Sequence, residues 1–218
     1  VPLVNNKPNG LGVCLFTYDN CEDQIRFEVP IVNGLKHGNQ TNYSLFGGIK
    51  STTEYKNGVK HGRYTVYHRS NKLLLNPFMI FNYVDGVIQG KVSVYFDNHT
   101  TPKIKEEFDC VDGKIEGTKY TYFESGYLES LLKFKSNILE GTSYYYNSNG
   151  FVRESLTYRN GVCIIKNKYD KKGILEHHFV FYQITQDVFI GFDSIKKYYF
   201  YKETYFKQNE FFNFLNRD

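Results

Sequence analysis

One short phrase recurs along this chain and limits what it can fold into: Asn or Asp, Gly, three residues, Gly. It reads NGLKHG at Asn33–Gly38, NGVKHG at Asn57–Gly62, DGVIQG at Asp85–Gly90 and DGKIEG at Asp112–Gly117. SNILEG at Ser136–Gly141 and NNKPNG at Asn5–Gly10 keep only the second glycine, and NG opens once more at Asn160–Gly161. The second glycines stand at 10, 38, 62, 90, 117 and 141, in steps of 28, 24, 28, 27 and 24. A fixed period of that size marks a stack of small supersecondary units, each packed on its neighbours.

The residues around the phrase say what the unit is. Five positions after the second glycine comes Leu15, Tyr43, Tyr67, Tyr95, Tyr122 or Tyr146, and four further on there is often a glycine: Gly47, Gly126, Gly150. Ahead of each phrase stand two apolar or β-prone residues spaced by two. They are Val29 and Ile31, Thr53 and Tyr55, Phe81 and Tyr83, Phe108 and Cys110, Leu132 and Phe134, Leu156 and Tyr158. Positions two apart share one face of a strand. Asn-Gly and Asp-Gly supply the positive φ angles of tight hairpin turns. Each unit therefore reads as a β-hairpin of about 24 residues, which is marginal alone and stabilised by stacking into an antiparallel sheet. The turn glycines are Gly34, Gly38, Gly58, Gly62, Gly86, Gly90, Gly113, Gly117, Gly141 and Gly161. The extra residues of the 27- and 28-residue steps all map to the same turn, two of them with a proline (Pro77, Pro102), so these turns should protrude from one edge.

The stretch Tyr55–Tyr67, YKNGVKHGRYTVY, resembles the MORN repeat in its variant bacterial and viral form, and the resemblance runs over roughly residues 5 to 182. It departs from the usual pattern in lacking a Trp after the second glycine, with Tyr or Phe in the aromatic role. The resemblance implies an elongated, single-layer, twisted antiparallel sheet with a shallow groove. It also implies roles in protein docking, membrane or phosphoinositide association, and scaffolding, and some variant members resemble antitoxin or immunity partners.

Two segments follow from the period. Residues 1–182 form the array, six regular repeats and a degenerate seventh in which Ile165 replaces the second glycine while Tyr169, Gly173 and Phe181 keep the spacing. Residues 183–218 break the period. Asp193 and Ser194 make an N-cap before Ile195, Tyr198, Tyr199, Tyr205, Phe206, Phe212 and Leu215, which predicts a capping helix, with a strand over Tyr198–Tyr201 as the alternative. The tail could instead present an amphipathic helix rimmed by Lys196, Lys197, Lys202 and Lys207 to a partner or membrane.

Composition excludes several functions. There is no Ala, while 20 Tyr, 19 Phe and 18 Gly favour strands and turns over helical bundles. An AT-rich genome accounts for part of that bias. The 27 Lys and Arg are interleaved with 23 Asp and Glu, unlike the basic faces of nucleic-acid binders. No CxxC pair, HExxH, GxSxG or phosphate-binding loop occurs, so neither catalysis, a metal nor a cofactor is expected. His37 and His61 share one turn position before the second glycine, and the neighbours His177 and His178 on a strand point to opposite faces. Three sequons, at Asn39, Asn42 and Asn98, matter only in a eukaryotic secreted protein. Cys14, Cys21, Cys110 and Cys163 read as free thiols, a Cys14–Cys21 hairpin disulfide being the alternative. No apolar run reaches the ~18 residues of a membrane helix. A soluble protein is expected, cytoplasmic in preference to secreted, although a start at Val1 and not Met leaves a removed leader open.

The expected function is a non-enzymatic binding or scaffold module. Its candidate contacts are Tyr43, Tyr67, Tyr95, Tyr122 and Tyr146, one per hairpin, meeting a helix or peptide of another protein. The alternatives are an anionic membrane surface, with phosphoinositides, and an antitoxin-type partner. A packing ladder accounts for the same tyrosines, and replacing Tyr95 with Ala separates the two, costing about 3 kcal/mol if the ring is core.

Overall fold

The computed structural model describes residues 1–17, 24–68, 75–97, 101–184 and 198–204. Every regular element among them is a strand, and the strands pair antiparallel. The chain divides into two compact units, Val1–Glu116 with Glu124–Gly126, and Gly117–Phe123 with Tyr127–Asp218.

In the first unit a small hairpin of β1 (Leu3–Val4) and β2 (Lys7–Pro8) precedes a sheet. The sheet comprises β3 (Gly10–Leu15), β4 (Ile25–Val32), β5 (Leu35–Lys36), β6 (Gly38–Tyr43), β7 (Ile49–Lys56), β8 (Val59–Tyr67), β9 (Pro77–Val84), β10 (Val87–Tyr95) and β11 (Ile104–Val111). Sequential strands pair as hairpins throughout. The second unit has the same pattern. Its strands are β12 (Lys114–Tyr122, which begins in the first unit), β13 (Leu128–Lys135), β14 (Ile138–Leu139), β15 (Gly141–Tyr146), β16 (Val152–Arg159), β17 (Val162–Tyr169), β18 (Leu175–Ile184) and β19 (Tyr198–Thr204).

The recurring phrase does two jobs. Its first two residues carry positive φ in every repeat: Asn33 at 53° with Gly34 at 82°, and Asp85 at 49° with Gly86 at 84°. Ser136 at 50° and Asn137 at 69° do the same without a glycine, as do Asn5 and Asn6. Two successive left-handed residues make the turn whose twist matches that of the strands it joins. The second glycine marks a bulge. Gln89 and Ser93 are four apart on β10, yet face Asn82 and Ile80, only two apart on β9, so two extra residues bulge out around Gly90. The same two-residue excess recurs around Gly38, Gly62 and Gly141. Where Ile165 replaces the glycine, Thr157 and Tyr158 face Ile165 and Cys163, and the excess falls to one. Without a residue that tolerates positive φ the larger bulge is lost. Pro30 fits inside β4 for a related reason: its carbonyl accepts from His37 at the bulge, so the missing N–H faces no ladder partner.

One face of the first unit is packed. Phe81, Val92 and Cys110 are buried there, with Tyr64, Met79, Tyr83, Ile88, Phe108 and Ile115 against them. The residue two after the turn glycine fills the gaps between rings. Lys36 Nζ lies 5.1 Å from the Phe27 ring centre and 5.0 Å from Tyr55, and Lys60 Nζ lies 4.9 Å from Tyr83. Ile88 and Ile115 take the equivalent places. In the second unit small hydroxyl residues are buried in the sheet: Ser143 is fully enclosed, and its Oγ accepts the Lys133 N–H at 3.1 Å.

Tyr198–Thr204 pairs with β18 as a strand, the alternative offered by the tail sequence. The rest of the helical cap expected over 183–218 lies outside the described residues, apart from Gln183 and Ile184 at the end of β18. So do the insertions expected to protrude, which fall on 18–23, 69–74 and 98–100, and Cys21. Cys14, Cys110 and Cys163 carry free thiols.

Candidate functional site: the tyrosine face

In the first unit the row tyrosines do not belong to the packed face. On β6, Gln40 and Asn42 lie on the packed side, where the Asn42 amide donates to Ser51 Oγ at 3.0 Å. Tyr43 is the next residue along and points the other way. Its hydroxyl donates to Glu28 Oε1 at 2.6 Å, across the face that also carries Thr41. Each row residue is also reached by a one-residue bulge on the following strand. Asn42 and Tyr43 are adjacent but face Ser51 and Ile49, and the same shift occurs at Tyr67, Tyr95, Tyr122 and Tyr146. Leu15 and Tyr169 occupy the equivalent bulges. All five candidate tyrosines are half-buried.

In the first unit this face carries a pocket of about 430 Å3 over β6 to β9. Thr41, Thr52 and Thr65 are directly paired across three strands and form its floor. Asn39, Glu54, Arg63 and Tyr67 add polar walls, and Leu75, Pro77 and Ile80 an apolar one. Glu54 is held down: its Oε2 accepts the Arg63 backbone N–H at 3.0 Å. The pocket size is within the range of small-ligand and side-chain sites. Of the lining residues only Tyr67 was a candidate contact from the sequence. A signal did exist, since Thr41 and Thr65 both stand three residues after a second glycine.

The second unit, which holds Tyr146, also has a half-buried polar cluster around buried Ser155. Asn167 donates to Ser155 Oγ at 3.1 Å, the Tyr169 hydroxyl lies 3.2 Å from that oxygen, and His178 Nδ1 bonds to Asn167 Oδ1. Burial holds the His178 pKa below its ordinary value and so favours the neutral ring. Burial first, and then the neighbouring Tyr144, push the Tyr146 phenol up.

The strongest perturbation on the face is at Tyr43. Its hydrogen bond to Glu28, then burial and the Glu28 charge, raise its pKa from 10.0 to about 12. A pKa raised by folding stabilises the native state fully below the unfolded value, and that contribution is lost as pH climbs through the folded one. The Tyr43 contribution should therefore be intact up to about pH 10 and gone above about 12. Tyrosine ring NMR during alkaline titration should show Tyr43 among the last phenols to ionise, and Glu28→Ala should return it toward 10. An unchanged Tyr43 midpoint in that variant would refute the assignment.

The two histidines of the phrase have structural work. His37 Nδ1 lies 3.3 Å from Asn57 Oδ1, and His61 Nδ1 lies 3.1 Å from Asp85 Oδ1, each joining one turn to the next. Asn9, Gln89 and Glu140 fill the same place by accepting the N–H of Asn33, Asp112 and Asn160. The turn and bulge glycines lie at backbone positions and supply conformation, not contacts. Among the described residues, no three His, Cys, Asp or Glu converge as a metal site would need. No protein-family model matches the chain, and no curated protein is similar enough to count as a relative.

Proposed function

We propose that this chain is a variant MORN-repeat protein whose tyrosine face docks another protein, in a binding or scaffolding role without catalysis. The observation that carries this is the placement, in the first unit, of Tyr43 and Tyr67 on the face opposite the packed aromatic cluster. Rings that filled the core would sit with Phe81 and Tyr83. Tyr43 and Tyr67 instead stand half-buried, one bonded to Glu28 and the other in a pocket with a threonine floor and both polar and apolar walls, a mixture of rigid aromatic area and polar tips suited to docking. The pocket beside Tyr67 then serves as the slot for one side chain of an extended or helical partner segment.

Position-specific photo-crosslinking in the native host tests this. A benzophenone-bearing residue in place of Tyr67 or Tyr95 should give a discrete protein adduct, while the same probe at exposed Lys56 should not. No adduct at either tyrosine, or equal yield at Lys56, would overturn the proposal. In parallel, Tyr95→Ala should lower stability by about 1 kcal/mol and remove the adduct formed at Tyr67. A loss near the ~3 kcal/mol of a core truncation would return the row to a packing role.

A further inference from the structure

We infer that the pocket beside Tyr67 takes a carboxylate, the acidic side chain of a glutamate or aspartate in the docked segment, with Arg63 as its counter-charge. This names the occupant of the slot, and for the source of the acid it rests on the docking reading above. Arg63 lines the pocket, is exposed, and makes no ion pair among the described residues. The only carboxylate among the lining residues, Glu54, is engaged by the Arg63 backbone, whose N–H its Oε2 accepts.

The next repeat shows what Arg63 lacks. Lys91 follows Gly90 as Arg63 follows Gly62. Three residues after each glycine, Ser93 faces Glu107 on β11 and Thr65 faces Ile80 on β9. Glu107 and Ile80 therefore hold one place in the repeat, and Lys91 Nζ bonds to Glu107 Oε2 at 3.2 Å. At the pocket an aliphatic side chain stands where that carboxylate would be. The hydroxyls repeat the contrast. Thr52 faces Thr65, which faces Ile80, and in the second unit Ser155 faces Asn167, which faces His178. Thr65 and Asn167 each stand two residues before a row tyrosine, Tyr67 and Tyr169. In the second unit these polar groups satisfy one another, Asn167 bonding to both Ser155 and His178. At the pocket Thr41, Thr52 and Thr65 make no side-chain hydrogen bond among the described residues, although Thr65 is only 5 % exposed. A buried hydroxyl without a partner is costly, so these donors are set for a ligand. A guanidinium fork and several hydroxyls are what the two oxygens of a carboxylate accept from. Phosphate fits less well, because Glu54 offsets the single cation and a phosphate brings nearly two charges.

Chemical-shift titration of the full chain with the peptide acetyl-Gly-Glu-Gly-amide tests the site. The Thr52, Thr65 and Tyr67 amides should shift, and the glutamine counterpart should bind about 10-fold more weakly. Arg63→Gln should abolish that preference, while Lys91→Gln, whose charge is already paired, should keep it. Ile80→Glu restores within the chain the carboxylate of the next repeat and should weaken the peptide by about 10-fold, a second variant should Arg63→Gln not fold. In the photo-crosslinking experiment, Arg63→Gln should likewise cut the Tyr67 adduct. Equal affinity for the two peptides, binding of neither, or a preference that survives Arg63→Gln overturns the inference, even where the Tyr67 adduct forms and docking stands. So does tighter binding of inorganic phosphate than of the glutamate peptide. A glutamate preference with no adduct at Tyr67 or Tyr95 would mean that docking fails and a free carboxylate is the ligand, which overturns the side-chain source.

Discussion

Replacing Phe81 with Ala should lower the unfolding free energy by about 3–5 kcal/mol, the range for truncating a buried aromatic. Phe81 is 6 % exposed and sits at the centre of the packed face. Its ring centre lies 4.9 Å from Tyr64 and 5.2 Å from Tyr83, the latter edge-on. Deleting the ring removes its transfer term and both aromatic contacts, worth about 0.5–1.5 kcal/mol each beyond area. Little can collapse into the space, because Tyr64 and Tyr83 are pinned to neighbouring strands by the ladder. The internal contrast is Phe78 on the same strand, 39 % exposed, where Ala should cost about 1 kcal/mol or less. Urea unfolding followed by circular dichroism measures both. If Phe78→Ala proves as costly as Phe81→Ala, the packed face has been assigned to the wrong side. The slope of the transition carries a second result: a smaller m-value for Phe81→Ala would mean that the destabilised unit no longer unfolds together with the rest.

That assignment of faces is the part of the fold the sequence conceals. The hairpins themselves are legible, because Asn-Gly and Asp-Gly announce their turn, and even Ser136–Asn137 could be placed by the glycine five residues beyond Ser136. Both aromatic rows are legible as rows. What spacing alone does not reveal is that Tyr67 and Phe81 stand on opposite sides. Between a turn and its tyrosine the strand absorbs two extra residues at the second glycine, and the following strand absorbs one more opposite the tyrosine. A one-residue slip reverses every side chain, so counting across such bulges cannot settle sides without the pairings. The pocket was hidden for another reason. Thr41, Thr52 and Thr65 are separated by at least eleven residues in sequence and become neighbours only through register, and Leu75 joins them from the end of an inserted turn. The histidines show the reverse case. Their shared place in the repeat was enough to mark a structural role, and the turn-to-turn bonds they make agree with it.

Gly62→Ala should be the most costly single-methyl change in the array, about 2–4 kcal/mol, and the cost has two separable parts. The first is backbone: φ at Gly62 is +101°, outside even the left-handed well that Asn tolerates. The second is occupancy. A Cβ there would collide with the Glu54 carboxylate, whose Cδ would lie 2.9 Å away and whose Cβ 3.1 Å. Moving that carboxylate breaks its bond from the Arg63 N–H. Gly90 supplies the contrast without the clash: it holds the same place in the next repeat at φ +75°, nearer the left-handed well, with nothing within 4 Å of the position a methyl would take. Gly90→Ala should therefore cost about 1 kcal/mol, a left-handed residue without a clash. Adding Glu54→Ala to Gly62→Ala removes the carboxylate but not the strain, so the double variant should recover about 1 kcal/mol relative to the sum of the singles. Equal losses at Gly62 and Gly90, with no coupling to Glu54, would mean that the second glycine is required for its backbone angle alone. The expected inequality would mean that in this repeat it also clears the space in which Glu54 closes the wall of the pocket.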